Sequence, residues 1–254
     1  MIPIILLLVY LAMPIDTSAL TVSAADAQEI GTKIWKNECG GKVEGLTHWN
    51  VGENFGSFGI GHFIWYPEKG QERFQDTFPM LIKYLTDEGV TVPKWLAEAK
   101  GCPWQSREEF YQDIDSPKMK SLRQFLLNTK DKQAVFMASR LENALQDIAA
   151  NLPEQQKKNV KKAFFNLSQD PRGLYALIDY ANFKGLGTTP SESYKGQGWG
   201  LKQVLLQIPP TSKDTLADFV AGAKKLLTQR VENSPPDRNE KRWLPGWLNR
   251  LDTY

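Results

Sequence analysis

Ile30 and Ile34 stand four residues apart in an otherwise polar stretch, and the next position on the same stripe is Glu38. That spacing is one face of an α-helix. Asp26 with Glu29 three residues on has the spacing of a capping box, which opens a helix, and Gly40-Gly41 closes it. From Lys42 to Tyr66 the helical period is lost to glycine, asparagine and aromatic residues. This predicts loops with a short hairpin or three-stranded sheet over about 42–66, set directly after the helix that ends near Glu38.

Beyond Pro67 the period returns. Helices are predicted at Pro79 to Glu88, Pro93 to Lys100, Ser106 to Ile114, Ser116 to Leu127, Asp131 to Asn151 and Pro153 to Leu167. More follow at Arg172 to Tyr180, Trp199 to Leu206, Thr215 to Val231 and, as a terminal pair, around Arg238 to Leu251. The glycine-rich Tyr194 to Gly200 reads as a flexible loop. The expected class is α+β, mostly α. With no repeat and no linker longer than a turn, residues 26–254 are expected to form one domain with two lobes and a cleft between them.

A chain of 254 residues, 41% hydrophobic and 24% charged, belongs with globular rather than disordered proteins. Its net charge of +2 is spread without a basic arm, so nucleic acid is not an expected partner, while mild basicity suits an anionic polymer such as cell wall. Ile2 to Ile15 form an apolar run followed by small residues, which predicts a signal peptide over 1–25 with cleavage after Ala19, Ala24 or Ala25. The protein is then periplasmic or secreted, and a monomer is expected. Because no Lys or Arg precedes the run, an uncleaved N-terminal anchor is the alternative, and the only expected route to a membrane. In an oxidising compartment Cys39 and Cys102 can form a single disulfide; otherwise they are two unrelated buried thiols. Metal-type Cys/His spacing, a Ser-His-Asp set and a dinucleotide fingerprint are all missing from the sequence, so a cofactor-free enzyme is expected.

The chemistry centres on Glu38. A carboxyl buried without a partner favours its neutral form, and a neutral carboxyl donates a proton near neutral pH. Cleaving a glycosidic bond also calls for a group that meets the oxocarbenium-like carbon, usually a second carboxylate. Glu53 is the candidate, with Asn50 and Asn54 beside it in the loop. Trp49 is the aromatic best placed to stack on sugar, since ring faces bury carbohydrate C–H surface. His62 titrates in the useful range but also suits a hydrogen-bonding strut closing a Gly-x-Gly turn.

Two segments resemble a known family. Glu38 at a helix end followed by Phe55-Gly56-Ser57-Phe58-Gly59-Ile60-Gly61-His62 resembles the phage-type lysozymes, and Pro236-Asp237-Arg238 to Arg242 is similar to that family's C-terminal Pro-x-Arg-x-x-Arg segment. The resemblance implies a lysozyme-like two-lobed fold and a peptidoglycan substrate. It casts Glu38 as catalytic general acid, Ser57 in the place of the cleft threonine, and Arg238 as the arginine that pairs with the acid. The loop between Glu38 and Gly59 is longer than in the family and lacks its second aspartate. Tyr180 and Asn182 resemble the Asn-Tyr cleft motif of lytic transglycosylases, which also use one glutamate ending a helix. Three functions are therefore carried forward: glycan hydrolysis with Glu38, transglycosylase-like cleavage with Glu38 alone, and non-catalytic wall binding.

Overall fold

A computed structural model describes residues 20, 22–68, 70 and 74–254. The first helix, α1 (Ala24–Cys39), starts earlier than the sequence suggests. Ser23 is its N-cap, its Oγ accepting from the Asp26 amide at 3.1 Å and donating to the Asp26 carboxylate at 2.6 Å. The same Ser-x-x-acid spacing as in a capping box recurs three residues upstream of the expected cap, and it wins because Ser is extended at that position and Asp26 already sits in the first turn. Residues 1–19 and 21 of the expected leader lie outside the described residues, and Ala24 and Ala25 form the first turn of α1. Gly40, at φ 60°, takes the left-handed conformation that ends the helix and returns its N–H to the Trp35 carbonyl.

Three short strands follow, β1 (Thr47–His48), β2 (Gly56–Phe58) and β3 (Phe63–Trp65), antiparallel in sequence order. Thr47 faces Phe58 and Phe58 faces Phe63, so the β2–β3 turn Gly59 to His62 lies at the end of the sheet where β1 begins. The β1–β2 loop that holds Asn50 and Glu53 lies at the opposite end. Buried Gln133 fixes the turn: its Oε1 accepts from the Ile60 amide at 2.9 Å while its Nε2 donates to the Leu126 carbonyl at 2.7 Å. Gly59, at φ 74°, could not carry a side chain, because a Cβ there would stand 2.4 Å from that same Oε1.

The remaining chain is helical, as expected: α2 (Phe78–Asp87), α3 (Lys94–Ala97), α4 (Arg107–Gln112), α5 (Pro117–Asn128), α6 (Lys130–Ala150), α7 (Glu154–Ser168) and α8 (Pro171–Lys184). A two-stranded ribbon, β4 (Ser193–Tyr194) and β5 (Gln197–Gly198), precedes α9 (Leu201–Gln207), α10 (Thr215–Asn233) and α11 (Leu244–Leu251). The fold is α+β, mostly α. The ribbon replaces the flexible loop expected over Tyr194 to Gly200. Lys195 and Gly196 both have positive φ, the two-residue turn whose twist matches a hairpin. α8 runs past its expected end at Tyr180 to Lys184, because the stop signal is Gly185 and not the polar residues before it.

α1 packs on α6 closely enough that a Cβ on Gly31 would lie 2.5 Å from the Lys130 carbonyl oxygen. Beneath the sheet, Phe58 meets Phe78 at 5.0 Å between ring centroids and Trp65 meets Phe78 at 4.7 Å. The hairpin aromatics Phe55, Phe58, Trp65 and Tyr66 are all buried here. Each contributes on the order of 1.5–3 kcal/mol by leaving water, which is why they are core rather than sugar platforms.

Candidate functional site

Glu38 closes the buried stripe of Ile30 and Ile34, in the last turn of α1, with its side chain 15% exposed. Its two carboxylate oxygens differ. Oε1 accepts from Arg250 Nη2 and, at 3.2 Å, from Asn182 Nδ2. Oε2 has His62 Nδ1 at 3.8 Å, too long for a hydrogen bond, and no hydrogen-bond donor among the described residues. One oxygen is fixed and the other is free, so Glu38 is not the carboxyl buried without a partner that its stripe suggested: Arg250 pairs with it.

The fixing is done from α11 and α8. Arg250 Nε and Nη2 each donate to Asp179 at 2.8 Å, a fork on a carboxylate that is itself fully buried. Asp179 also accepts from the Tyr254 hydroxyl at 2.7 Å and from Asn37 Nδ2 at 3.4 Å. Burial works to lower the Arg250 pKa, but Asp179 and Glu38 outweigh it and raise the pKa, so the guanidinium stays charged. Burial, helped by the Asp179 charge, pushes the Tyr254 phenol well up, so it stays a neutral donor. Tyr175, Asp179 and Asn182 share one face of α8 by their spacing, which turns that face toward the end of α1.

His62 sits in the β2–β3 turn at φ 48°, between Glu38 and Cys39 Sγ, 3.9 Å from its Nε2. Burial lowers its pKa against the opposing pull of Glu38, so the ring is neutral at neutral pH. The Gly59 to His62 turn therefore delivers an uncharged imidazole to the open side of Glu38.

The expected residues part ways. Glu38, His62 and Asn182 come together. Glu53 does not join them: it belongs to the loop at the far end of the sheet, its carboxylate accepting from Asn50 Nδ2 at 3.0 Å. The three residues of β2 alone span roughly 10 Å between the two ends. Asn50 is used in that loop, pairing also with His48 at 2.9 Å. Trp49 is 1% exposed and donates to the Glu53 carbonyl at 2.9 Å, a core strut that meets the cavity beside Glu53 and not the surroundings of Glu38. Ser57 is buried in the middle of β2, opposite Ile64. Tyr180 is also a core residue, its hydroxyl donating to the Trp199 carbonyl at 2.7 Å, because it points to the face of α8 opposite Asp179's neighbours.

Arg238 does not reach Glu38. It donates to Glu240 at 3.1 Å, in a second buried network where Arg230 forks onto Glu240 at 2.7 and 2.9 Å and the Tyr194 hydroxyl adds a bond at 2.9 Å. The arginine on the acid is Arg250, twelve positions later, carried by the terminal helix. Cys39 and Cys102 are separate free thiols, both buried, and burial pushes each up to about 12. Both stay reduced inside the core, which corrects the expected disulfide.

Lys184, the last residue of α8, is buried between two rings, its Nζ 3.3 Å from the Trp247 centroid and 3.8 Å from that of Phe183. Burial, aided by the charges of Arg230 and Arg250, pulls its pKa down to about 6. Beside Asn182 a groove of about 470 Å³ opens between α6 and α8, lined by Phe63, Met137 and Ile178 together with the polar Gln75, Arg140 and Asn143. A larger cavity of about 600 Å³ adjoins Glu53 and Arg107 and shares no lining residue with the groove. Among the described residues no cluster of His, Cys, Asp or Glu is arranged to hold a metal, and no helix is long and apolar enough to cross a membrane.

Sequence reading missed Asp179 and Arg250. Asp179 carried a usable signal: a carboxylate flanked by Leu177, Ile178 and Tyr180 in a helix must find a cation. Arg250 gives no such signal, being one of several basic residues near the end of the chain. No family model matches the chain, and neither a curated protein nor a solved structure matches it.

Proposed function

We propose that this protein cleaves the glycosidic bonds of a peptidoglycan-type polysaccharide, with Glu38 as the general acid. The supporting observation is the asymmetry of its carboxyl: Oε1 is anchored by Arg250 and by Asn182, which also lines a groove, and Oε2 has no hydrogen-bond donor among the described residues, with the neutral His62 3.8 Å away. A proton on Oε2 can pass to the leaving oxygen of a sugar seated at Asn182, while the anchored oxygen keeps the group aimed. The placement of this acid between a helix end and a glycine-rich turn supports the resemblance to phage-type lysozymes. The protein would then act where such polymers are, in the periplasm or outside the cell.

Sheet topology favours a second reading of the mechanism. Glu53 is at the other end of the sheet and Asp179 is consumed by Arg250 and Tyr254, so neither supplies a free second carboxylate beside Glu38. Attack by the sugar's own hydroxyl, as in lytic transglycosylases, needs one acid/base group only. Mass spectrometry of the fragments released from purified peptidoglycan tests both readings. Anhydro ends support the intramolecular route and reducing ends support hydrolysis, whereas release of no fragments would reject cleavage and leave wall binding.

A further inference from the structure

Two titratable groups face each other across a short gap at the end of α1. Glu38 Oε2 and His62 Nδ1 are 3.8 Å apart, with the carboxyl side chain 15% and the imidazole 33% exposed. Oε1, held by Arg250 and Asn182, is a pivot, so a small rotation of the carboxyl moves Oε2 alone. A closure of about 1 Å brings the pair to hydrogen-bond distance.

The ring is set to accept. Its Nε2 lies toward Cys39 Sγ, 3.9 Å away, and the Gly45 backbone, which packs against Cys39, offers the ring a hydrogen-bond acceptor. A proton on Nε2 leaves Nδ1 bare, its lone pair toward Oε2. Burial lowers the His62 pKa most; Glu38 and the Gly45 bond oppose it, while His48 and Arg250 add to it. Cys39 brings no charge, because burial and the Glu38 carboxylate push its thiol up to about 12. Of the charged groups acting on the ring, Glu38 alone favours the imidazolium.

An arginine on one oxygen of a carboxyl favours the ionised form, whereas a hydrogen bond donated by the protonated form favours the acid. A proton donor pinned by Arg250 therefore gains from an acceptor at its second oxygen, and the imidazole occupies that place.

We propose that His62 is a positioning residue for the reacting proton: Glu38 Oε2 and His62 Nδ1 share one proton, which is held on Oε2 for transfer and returns to Oε2 by way of Nδ1. In turnover the Oε2–H bond breaks as the proton passes to the departing sugar oxygen. The imidazole then takes a proton from solvent at its exposed edge, and its Nδ1–H bond breaks as that proton reaches the Oε2 carboxylate. This rests on the reading of Glu38 as the acid of a glycan-cleaving site.

Two measurements on the full chain test it. The first is NMR titration of the two histidine rings in 15N-labelled protein, with His48→Gln to assign the signals. At neutral pH the wild type should show His62 with Nδ1 bare and Nε2 protonated. Glu38→Gln should move the His62 midpoint down by about one pH unit or more, the pull of an opposite charge at this range. A midpoint unmoved by Glu38→Gln, or the opposite tautomer, overturns the proposal. The second is the pH profile of glycan cleavage by the wild type and by His62→Asn, a residue that tolerates the φ of 48°, is too short to reach Oε2 and carries no proton in this range. The acid-side rates should agree within about twofold while the alkaline limb moves down by about one pH unit, so the loss grows with pH to about tenfold. A merely structural change lowers the rate alike at every pH, and that result overturns the proposal. A wild type that releases no glycan fragments while the two titrations stay linked would reject the Glu38 reading and keep the shared proton; cleavage with unlinked titrations would do the reverse.

Discussion

Glu38 and Glu240 are both carboxylates held by arginines against aromatic rings, yet they are left in opposite states. Glu240 is fully buried and receives four bonds, three on Oε1 from Tyr194, Arg230 and Arg238 and one on Oε2 from Arg230. Burial raises its pKa, but those donors outweigh burial and hold it below the usual carboxylate value. Glu38 has one oxygen satisfied, one open, and a path to solvent. The first arrangement ties both oxygens into the fold. The second leaves one without a donor, the one that the proposed reaction would use, and the helix that carries Arg250 holds the group in place.

The largest expected break in that comparison is Glu240→Gln. It leaves Arg230 buried without its counter-charge and should destabilise the protein by about 3–5 kcal/mol in urea unfolding, with activity per folded molecule kept. Arg250→Lys comes next: it loses the fork onto Asp179 and should lower the rate of glycan cleavage about 100-fold through misplacement of Glu38, far beyond its effect on binding. A rate unchanged by Arg250→Lys would mean that the acid does not depend on this anchor.

A smaller effect of opposite sign is expected at Lys184, whose ammonium is buried with rings but no carboxylate. Its pKa falls from an ordinary 10.5 to about 6 on folding. Below pH 6 both states carry the proton and the burial cost is complete. Between 6 and 10.5 the unfolded chain holds the extra proton, so stability rises with pH across that window. Lys184→Met should therefore stabilise the protein by about 1 kcal/mol at pH 6, net of the lost cation–π contact, with the gain fading toward pH 10. A gain that stayed constant between pH 6 and 10 would show that Lys184 is buried charged. The smallest effect, about 1 kcal/mol of stability lost, is expected for Ser23→Ala, which removes the cap of α1 without touching Glu38.

Local patterns made the acid and its setting legible. The Ile30, Ile34 and Glu38 stripe, the stop at Gly40 and the loss of helical period to Tyr66 together placed a carboxylate at a helix end beside a small sheet, and the sheet and helix are there. Partners across long separations were not legible. Arg238 and Arg250 both sit in basic surroundings near the end of the chain, and only the path of α11 decides that the later one meets an acid 212 residues away. Glu53 failed for a topological reason: in a three-stranded meander the first loop and the second turn lie at opposite ends, so nearness in sequence to Gly59 carries no nearness in space. The hairpin aromatics failed because a sheet this small uses them to form a core.

The central claim is that Glu38 Oε2 delivers the proton, and the most direct measurement is loss of turbidity of purified peptidoglycan by the wild type and by Glu38→Gln, with thermal unfolding followed on the same samples. The substitution keeps the shape and the acceptor oxygen that Arg250 and Asn182 use, so the two proteins should unfold alike while activity disappears. Clearing by Glu38→Gln at the wild-type rate would contradict the claim.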